Sequence, residues 1–157
     1  QKHLNTTLLI IGGVLHKEHN KVLSNFWRKA EELKIKEKIF ITGLVDNVQD
    51  YLAIADVYIH PSYREGIPRA VLEAMSLEKV VIATNIRGAS EILEGEFNGI
   101  LYKKGNVKEL SSAIERVSLM TQKQRSDFGF LARKRVLDKY TEKAYINRQI
   151  GLLSEFF

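Results

Sequence analysis

No cysteine occurs in the 157 residues, and only two prolines and one tryptophan do. Without thiols the chain can form no disulfide, Cys-ligated zinc site, iron–sulfur cluster or thiol nucleophile. That absence suits a reducing compartment, and a cytoplasmic location is expected. No apolar run approaches the roughly 18 residues of a membrane span. Gln1 to His3 do not begin a signal peptide. Asp-x-Asp pairs and clustered histidines are missing too, so nothing suggests a metal.

What is present describes a globular domain, with 45% hydrophobic and 27% charged residues. The length suits one domain over 1–157 with a real core. Lys and Arg number 24 against 19 Asp and Glu, a formal charge of +5. Such a balance suits a nucleic acid, a membrane surface or an anionic small molecule. Lys29, Lys34, Lys36 and Lys38 fall on expected helices, as do Lys123, Arg125, Arg133, Lys134, Arg135 and Lys139. Solvated helix faces account for them. No basic run is interleaved with aromatics of the kind that stack bases, so no nucleic-acid partner is expected. An anionic bilayer surface stays open.

Short apolar runs alternate with helical periodicity. Leu8 to Ile11 runs into Gly12-Gly13 and reads as a buried strand ending in a turn. Val22, Phe26, Ala30 and Leu33 recur at helical spacing. A second strand, Lys38 to Gly43, also ends in glycine. Val48, Tyr51, Leu52 and Ala55 form the stripe of an amphipathic helix. Asp56 to Pro61 reads as a third strand. Pro68 to Leu77 reads as a helix with proline in its first turn. Val80 to Thr84 is a fourth strand, Ser90 to Leu93 a short helix and Gly99 to Tyr102 a fifth strand. Leu110, Ala113, Ile114 and Val117 mark another helix. From Thr121 onward the pattern is helical, with breaks expected near Gly129 and Thr141.

Strands apolar on both faces, alternating with helices, define an α/β chain with a covered parallel sheet. Right-handed crossovers make it doubly wound, and ligands bind beyond the carboxyl ends of the strands. The positions of interest are therefore the turns Gly12-Gly13, Gly43-Leu44, Pro61 to Ile67 and Thr84 to Gly88.

The longest turn, Pro61-Ser62-Tyr63-Arg64-Glu65-Gly66-Ile67-Pro68, leads into Arg69 to Met75. Gly66 lets the backbone approach a ligand. Orphan N–H groups at the helix start favour an anion or sugar hydroxyls. Were the whole stretch helical, Glu65 and Glu73 would lie about 12 Å apart along the axis and about 80° apart around it. That is the reach of a nucleotide sugar from ribose to hexose. It exceeds the roughly 5 to 9.5 Å between the paired carboxylates of a glycosidase.

Glu65 to Glu73 resembles the Glu-x7-Glu motif of retaining glycosyltransferases of the GT-B fold. The order of surrounding stretches resembles the C-terminal, donor-binding half of family 4, also called group 1. These stretches are Ile10 to Gly13, Ile39 to Gly43, Ala55 to Ser62, Glu65 to Pro68, Leu72 to Met75, Val81 to Thr84, Arg87-Gly88, Glu91-Ile92 and Asn98 to Leu101. Glu-Gly-Ile-Pro-Arg with Thr-Asn-Ile-Arg-Gly is similar to bacterial O-antigen and capsule transferases. The resemblance implies a Rossmann-like sheet and a UDP-sugar donor, a hexose or N-acetylhexosamine. It also implies a polyprenyl-diphosphate-linked acceptor in polysaccharide synthesis, and no metal. Glu65, the candidate catalytic residue, would contact the donor hexose and Glu73 the ribose. Gly66, Ile67 and Pro68 would meet the sugar and phosphate. Gly43, Leu44 and Val45 would hold the nucleobase through main-chain bonds, with Ser62, Arg64 and Arg69 as neighbours.

Two departures stand out. Glu78 and Val80 occupy positions where the family carries Gly and Pro, which leaves the geometry of that turn open. The family's first strand–helix unit, with an Arg and a Lys on the diphosphate, precedes the stretch matched by Leu8. Its acceptor domain precedes that. The expectation is a sheet lacking a central strand, in a fragment inactive alone. Its helical segment 121–157, with apolar Leu152, Leu153, Phe156 and Phe157, would cross to the partner domain. His60 reads as a core or strand-end histidine rather than a base, and His3, His16 and His19 as surface residues. Trp27 and Phe26 read as packing residues. Other readings are a nucleotide-sugar-binding module without turnover and half of a GT-B sugar epimerase.

Overall fold

The computed structural model describes residues 6–13 and 20–154. His3, His16, His19, Phe156 and Phe157 lie outside the described residues. The chain divides into two units, Gln1–Tyr51 and Leu52–Phe157.

In the first unit Leu8–Ile10 (β1) and Ile39–Ile41 (β2) pair in parallel, with Leu8 opposite Ile39. Alternation buries Ile39 and turns Phe40 to the other face, where it is 57% exposed. Asn20–Glu32 forms α1 between them. Of its expected stripe, Ala30 is buried and Phe26 half-buried, whereas Val22 and Leu33 are exposed. Leu33 lies beyond the last helical residue and so leaves the stripe. Nothing among the described residues covers Val22. Phe26 and Trp27 pack edge to face at 5.3 Å. A 3-10 turn, Lys36–Lys38, leads into β2. Val48–Ile54 (α2) straddles the boundary between the units.

In the second unit Val57–His60 (β3), Val80–Thr84 (β4) and Ile100–Tyr102 (β5) form a parallel ladder in that order. Val57 lies opposite Val80, and Ile82 opposite Ile100. The helices are Arg69–Ser76 (α3), Arg87–Ile92 (α4), Val107–Ser118 (α5), Gln122–Lys139 (α6) and Glu142–Ser154 (α7). All five residues of β4 are buried. Val80 and Ile82 pack with Ile100, Tyr102 and the α5 residues Ala113 and Val117. Val81 and Ala83 point the other way, to the side of α3 and its buried Val71, Ala74 and Met75. The strand ends are fastened by Thr84. Its buried hydroxyl lies 3.3 Å from the His60 carbonyl oxygen and 3.1 Å from the Tyr102 hydroxyl.

The expected elements are present, β4 with the bounds expected and the other strands and α3 trimmed at their ends, and α4 begins three residues early, at Arg87. The expected break at Gly129 is absent, because α6 runs unbroken to Lys139. Gly129 is instead a crossing point, where a Cβ would lie 2.0 Å from the carbonyl oxygen of Glu78. Arg133 donates to the Ser76 carbonyl at 2.7 Å. The break at Thr141 is real, and α7 follows it. α7 buries no described residue, and Leu152 and Leu153 are exposed.

The turn at Glu78, where the resemblance implies glycine, keeps the glycine geometry. Glu78 has φ 57°, and Lys79 N–H bonds the Ala74 carbonyl while Glu78 N–H bonds that of Met75. That is a Schellman closure with a side chain in the left-handed position. Lys34, φ 55°, closes α1 the same way. At the end of α4, the Arg135 guanidinium donates to the carbonyls of Ile92 and Glu91 at 2.6 and 3.0 Å. The Tyr140 hydroxyl donates to Glu91 at 2.9 Å. These bonds satisfy carbonyls that the helix end leaves open.

Relief of the left-handed strain makes Glu78→Gly more stable by about 1 kcal/mol. Gly129→Ala forces α6 off the turn and costs about 1–3 kcal/mol. Urea unfolding of the two variants should give midpoint shifts of opposite sign.

Candidate functional site

β3 ends at His60, and residues 61–67 carry the chain to Pro68, the extended N-cap of α3. No side chain caps this helix. Val71 N–H bonds the Pro68 carbonyl at 3.0 Å, which leaves the N–H groups of Arg69 and Ala70 without an intrahelical acceptor. Pro68 is buried, while Gly66, Ile67, Arg64 and Arg69 are exposed. Glu65 precedes the helix, so the spacing of an unbroken helix does not apply to the pair it makes with Glu73.

A different element relates the two carboxylates. Tyr58 and His60 alternate onto one face of β3. The Tyr58 hydroxyl lies 3.1 Å from His60 Nδ1. His60 Nε2 lies 3.5 Å from Glu65 Oε1, and the Ser62 hydroxyl donates to that same oxygen at 2.9 Å. Burial pushes the Tyr58 phenol up to about 12, helped by the negative charge of Glu73 and then of Glu65. Both carboxylates therefore act on one phenol. Glu73 is half-buried on α3, and the Glu65 side chain is 37% exposed.

The loop is backed by α4. A Cβ on buried Gly88 would lie 1.8 Å from the Gly66 carbonyl oxygen and 3.0 Å from that of Glu65. Only glycine lets the helix come this close. On the outer side, exposed Tyr63 has Lys104 Nζ 5.9 Å from its ring centroid.

Gly43, Leu44 and Val45 belong to the first unit, at the carboxyl end of β2. Gly43 has φ 72° and forms an antiparallel bridge with Gly12, φ 125°. The Thr42 hydroxyl accepts from Gly12 N–H at 3.2 Å. A Cβ on Gly13 would lie 3.3 Å from Gly43 Cα, so the two glycine turns nest. Leu44 is 75% exposed and Val45 half-buried.

Within the second unit the structure thus gathers Ser62, Glu65, His60 and Tyr58, with Glu73 near enough to act on Tyr58. His60 is the strand-end residue expected, and its ring also faces Glu65. Tyr58 is absent from the sequence expectations. Its i, i+2 relation to His60 is the signal that marks it. Among the described residues no three His, Asp or Glu side chains cluster as metal ligands, and no helix is long and apolar enough to cross a membrane.

The family profile described as Glycosyl transferases group 1 matches residues 1–135. Among curated relatives, the chain is 41% identical over 78 residues to the putative teichuronic acid biosynthesis glycosyltransferase TuaC of Bacillus subtilis, covering 48% of this chain and 20% of the relative. It is 30% identical over 87 residues to the Escherichia coli UDP-Gal:alpha-D-GlcNAc-diphosphoundecaprenol alpha-1,3-galactosyltransferase, covering 55% and 22%. It is 28% identical over 142 residues to the capsular polysaccharide biosynthesis glycosyltransferase CapM of Staphylococcus aureus, covering 90% and 36%. The chain therefore spans between 20% and 36% of the length of these relatives. Among solved structures, a glycosyltransferase from Rickettsia africae superposes with TM-score 0.84 at 24% identity, over 98% of this chain and 41% of that one. Anabaena HepE, solved in complex with UDP, superposes with TM-score 0.80 at 22% identity, over 97% and 41%.

The layered parallel ladders are those of the GT-B glycosyltransferases. The chain belongs to the group 1 glycosyltransferase family.

Two outcomes test the site geometry. An unfolded Tyr58 ionises near its ordinary value of 10.0, the folded one near 12. Ionisation therefore favours unfolding, and stability falls as pH rises through that window. Tyr58→Phe should lose less stability than wild type between pH 9 and 11.5 in urea titrations. Gly88→Ala should displace the Glu65–Gly66 peptide, read as a large amide shift at Gly66, at a cost of about 1–3 kcal/mol.

Proposed function

We propose that this chain binds the nucleotide-sugar donor of a retaining glycosyltransferase. The donor is a UDP-hexose or UDP-N-acetylhexosamine, and the acceptor a polyprenyl-diphosphate-linked glycan of surface polysaccharide synthesis. One observation carries the reading. Two carboxylates, Glu65 on the loop before an uncapped helix and Glu73 within that helix, bear on the same phenol. Oxygens of that kind accept from sugar hydroxyls, and the N–H groups of Arg69 and Ala70 at the helix start suit a diphosphate. The family membership and the names of the polyprenyl-linked relatives support the same direction.

In this reading Glu65 accepts from hexose hydroxyls and is the group nearest the reacting centre. Glu73 accepts from the ribose. The backbone of Gly66 and Ile67, with Pro68 fixing the turn, meets the sugar and phosphate, and Ser62 and Arg69 border them. In the transfer, an acceptor oxygen bonds to the anomeric carbon as its bond to the β-phosphate oxygen breaks. UDP leaves with the electron pair, and the acceptor proton goes to the departing diphosphate. Rate enhancement comes from orientation and from stabilising the diphosphate at the helix start, with no metal required. The acceptor-side groups belong to an additional domain of the longer enzyme, and this chain alone is inactive. The net positive charge suits the inner face of an anionic membrane that carries the acceptor.

Calorimetric titration of the full-length protein with UDP and UDP-sugars tests this. Glu73→Ala should weaken UDP by about 10-fold. Glu65→Ala should leave UDP unchanged and weaken a UDP-sugar. Wild-type protein that binds no UDP refutes the reading, and equal losses in both variants refute the division of roles.

A further inference from the structure

The site holds one buried polar atom without a hydrogen-bond partner, Nε2 of His60. Such atoms are rare, and each calls for an explanation. Its nearest acceptor is Glu65 Oε1 at 3.5 Å, just beyond a formed bond. The His60 side chain is only 13% exposed, so solvent does not take the place of that acceptor.

The neighbours decide where the hydrogen sits. On the other side of the ring Nδ1 is engaged by the Tyr58 hydroxyl at 3.1 Å. A lone pair on Nε2 would face a carboxylate oxygen with no hydrogen between them. A hydrogen on Nε2 removes that conflict, and the Tyr58 hydroxyl then serves Nδ1. The phenol stays protonated, since burial and the two carboxylates oppose its ionisation. The His60 carbonyl is held as well, by the Thr84 hydroxyl. Ring and backbone are both fixed from the core side. Ser62 supplies a second donor to Glu65 Oε1. With Oε1 bracketed by two donors, Oε2 is left for a ligand.

We infer that His60 is a positioning residue. Its Nε2–H, set by the Tyr58 hydroxyl on Nδ1, orients the Glu65 carboxylate so that Oε2 meets the hexose of the donor. This rests on the donor-binding reading of Glu65. It adds that the strand, as well as the loop, positions the carboxylate that meets the sugar. Binding of the hexose draws Oε1 onto Nε2 and completes the bond that is open at 3.5 Å.

The test uses the full-length protein, with UDP, UDP-glucose and UDP-N-acetylglucosamine as probes. In His60→Gln the side-chain amide reaches the place of Nε2; in His60→Asn it reaches only that of Nδ1. His60→Asn should lose about 10-fold in affinity for the UDP-sugar that wild type binds, with UDP affinity within about twofold. His60→Gln should stay within about threefold of wild type for both, and Tyr58→Phe should fall between them. A purely structural histidine predicts equal behaviour of Asn and Gln, and that result overturns the inference. So does a parallel loss of UDP in His60→Asn. A second measurement needs no variant. The 15N spectrum of the wild-type imidazole should show Nε2 carrying hydrogen at neutral pH, and a bare Nε2 overturns the inference. Wild type that binds none of the probes refutes the donor-binding reading itself, whatever the variants do.

Discussion

Burying both faces of one strand is the constraint on which the second unit depends. β4 has five residues, and all five are buried. A strand in that position needs apolar side chains throughout and helices above and below. α5 fills one side through Ala113 and Val117, and α3 the other through Val71, Ala74 and Met75. At its end, Thr84 turns from apolar packing to hydrogen bonding and ties β3 and β5 to itself. The loop between β3 and α3 therefore starts from a fixed strand end and finishes on a fixed helix.

That fixed frame explains how an exposed loop can hold a carboxylate in place. Glu65 stands on irregular backbone, yet groups from the loop, β3 and α4 define its surroundings. Ser62 and His60 face its Oε1, Tyr58 stands behind His60, and Gly88 supports its peptide from α4. Glu73 needs less, because the helix carries it.

Much of this was legible in the residues. The apolar runs with glycine or proline at their ends marked the strands. The Leu110 to Val117 stripe marked α5, and the ordered motifs marked the family. What failed did so for physical reasons. Gly129 reads as a breaker, because helical propensity counts its missing side chain as a cost. Its value is in the contact with Glu78, distant in the chain. Glu78 replaces a glycine and still adopts a positive φ, since the Schellman hydrogen bonds and α6 hold it there. The Glu65–Glu73 relation was readable as a spacing, but not the Tyr58 phenol between them. The exposure of Phe40 and Leu33 depends on which faces are covered, and periodicity alone does not record that.

The crossing at Gly129 also sets an order of events in synthesis. Ser76 ends α3, and the guanidinium that caps its carbonyl arrives 57 residues later, on Arg133. A chain emerging from the ribosome makes β3, the loop and α3 early. Until α6 has cleared the exit tunnel, the turn at Glu78 lacks the helix that packs on it. Nascent chains shorter than that hold the Glu65 loop on an unfinished base.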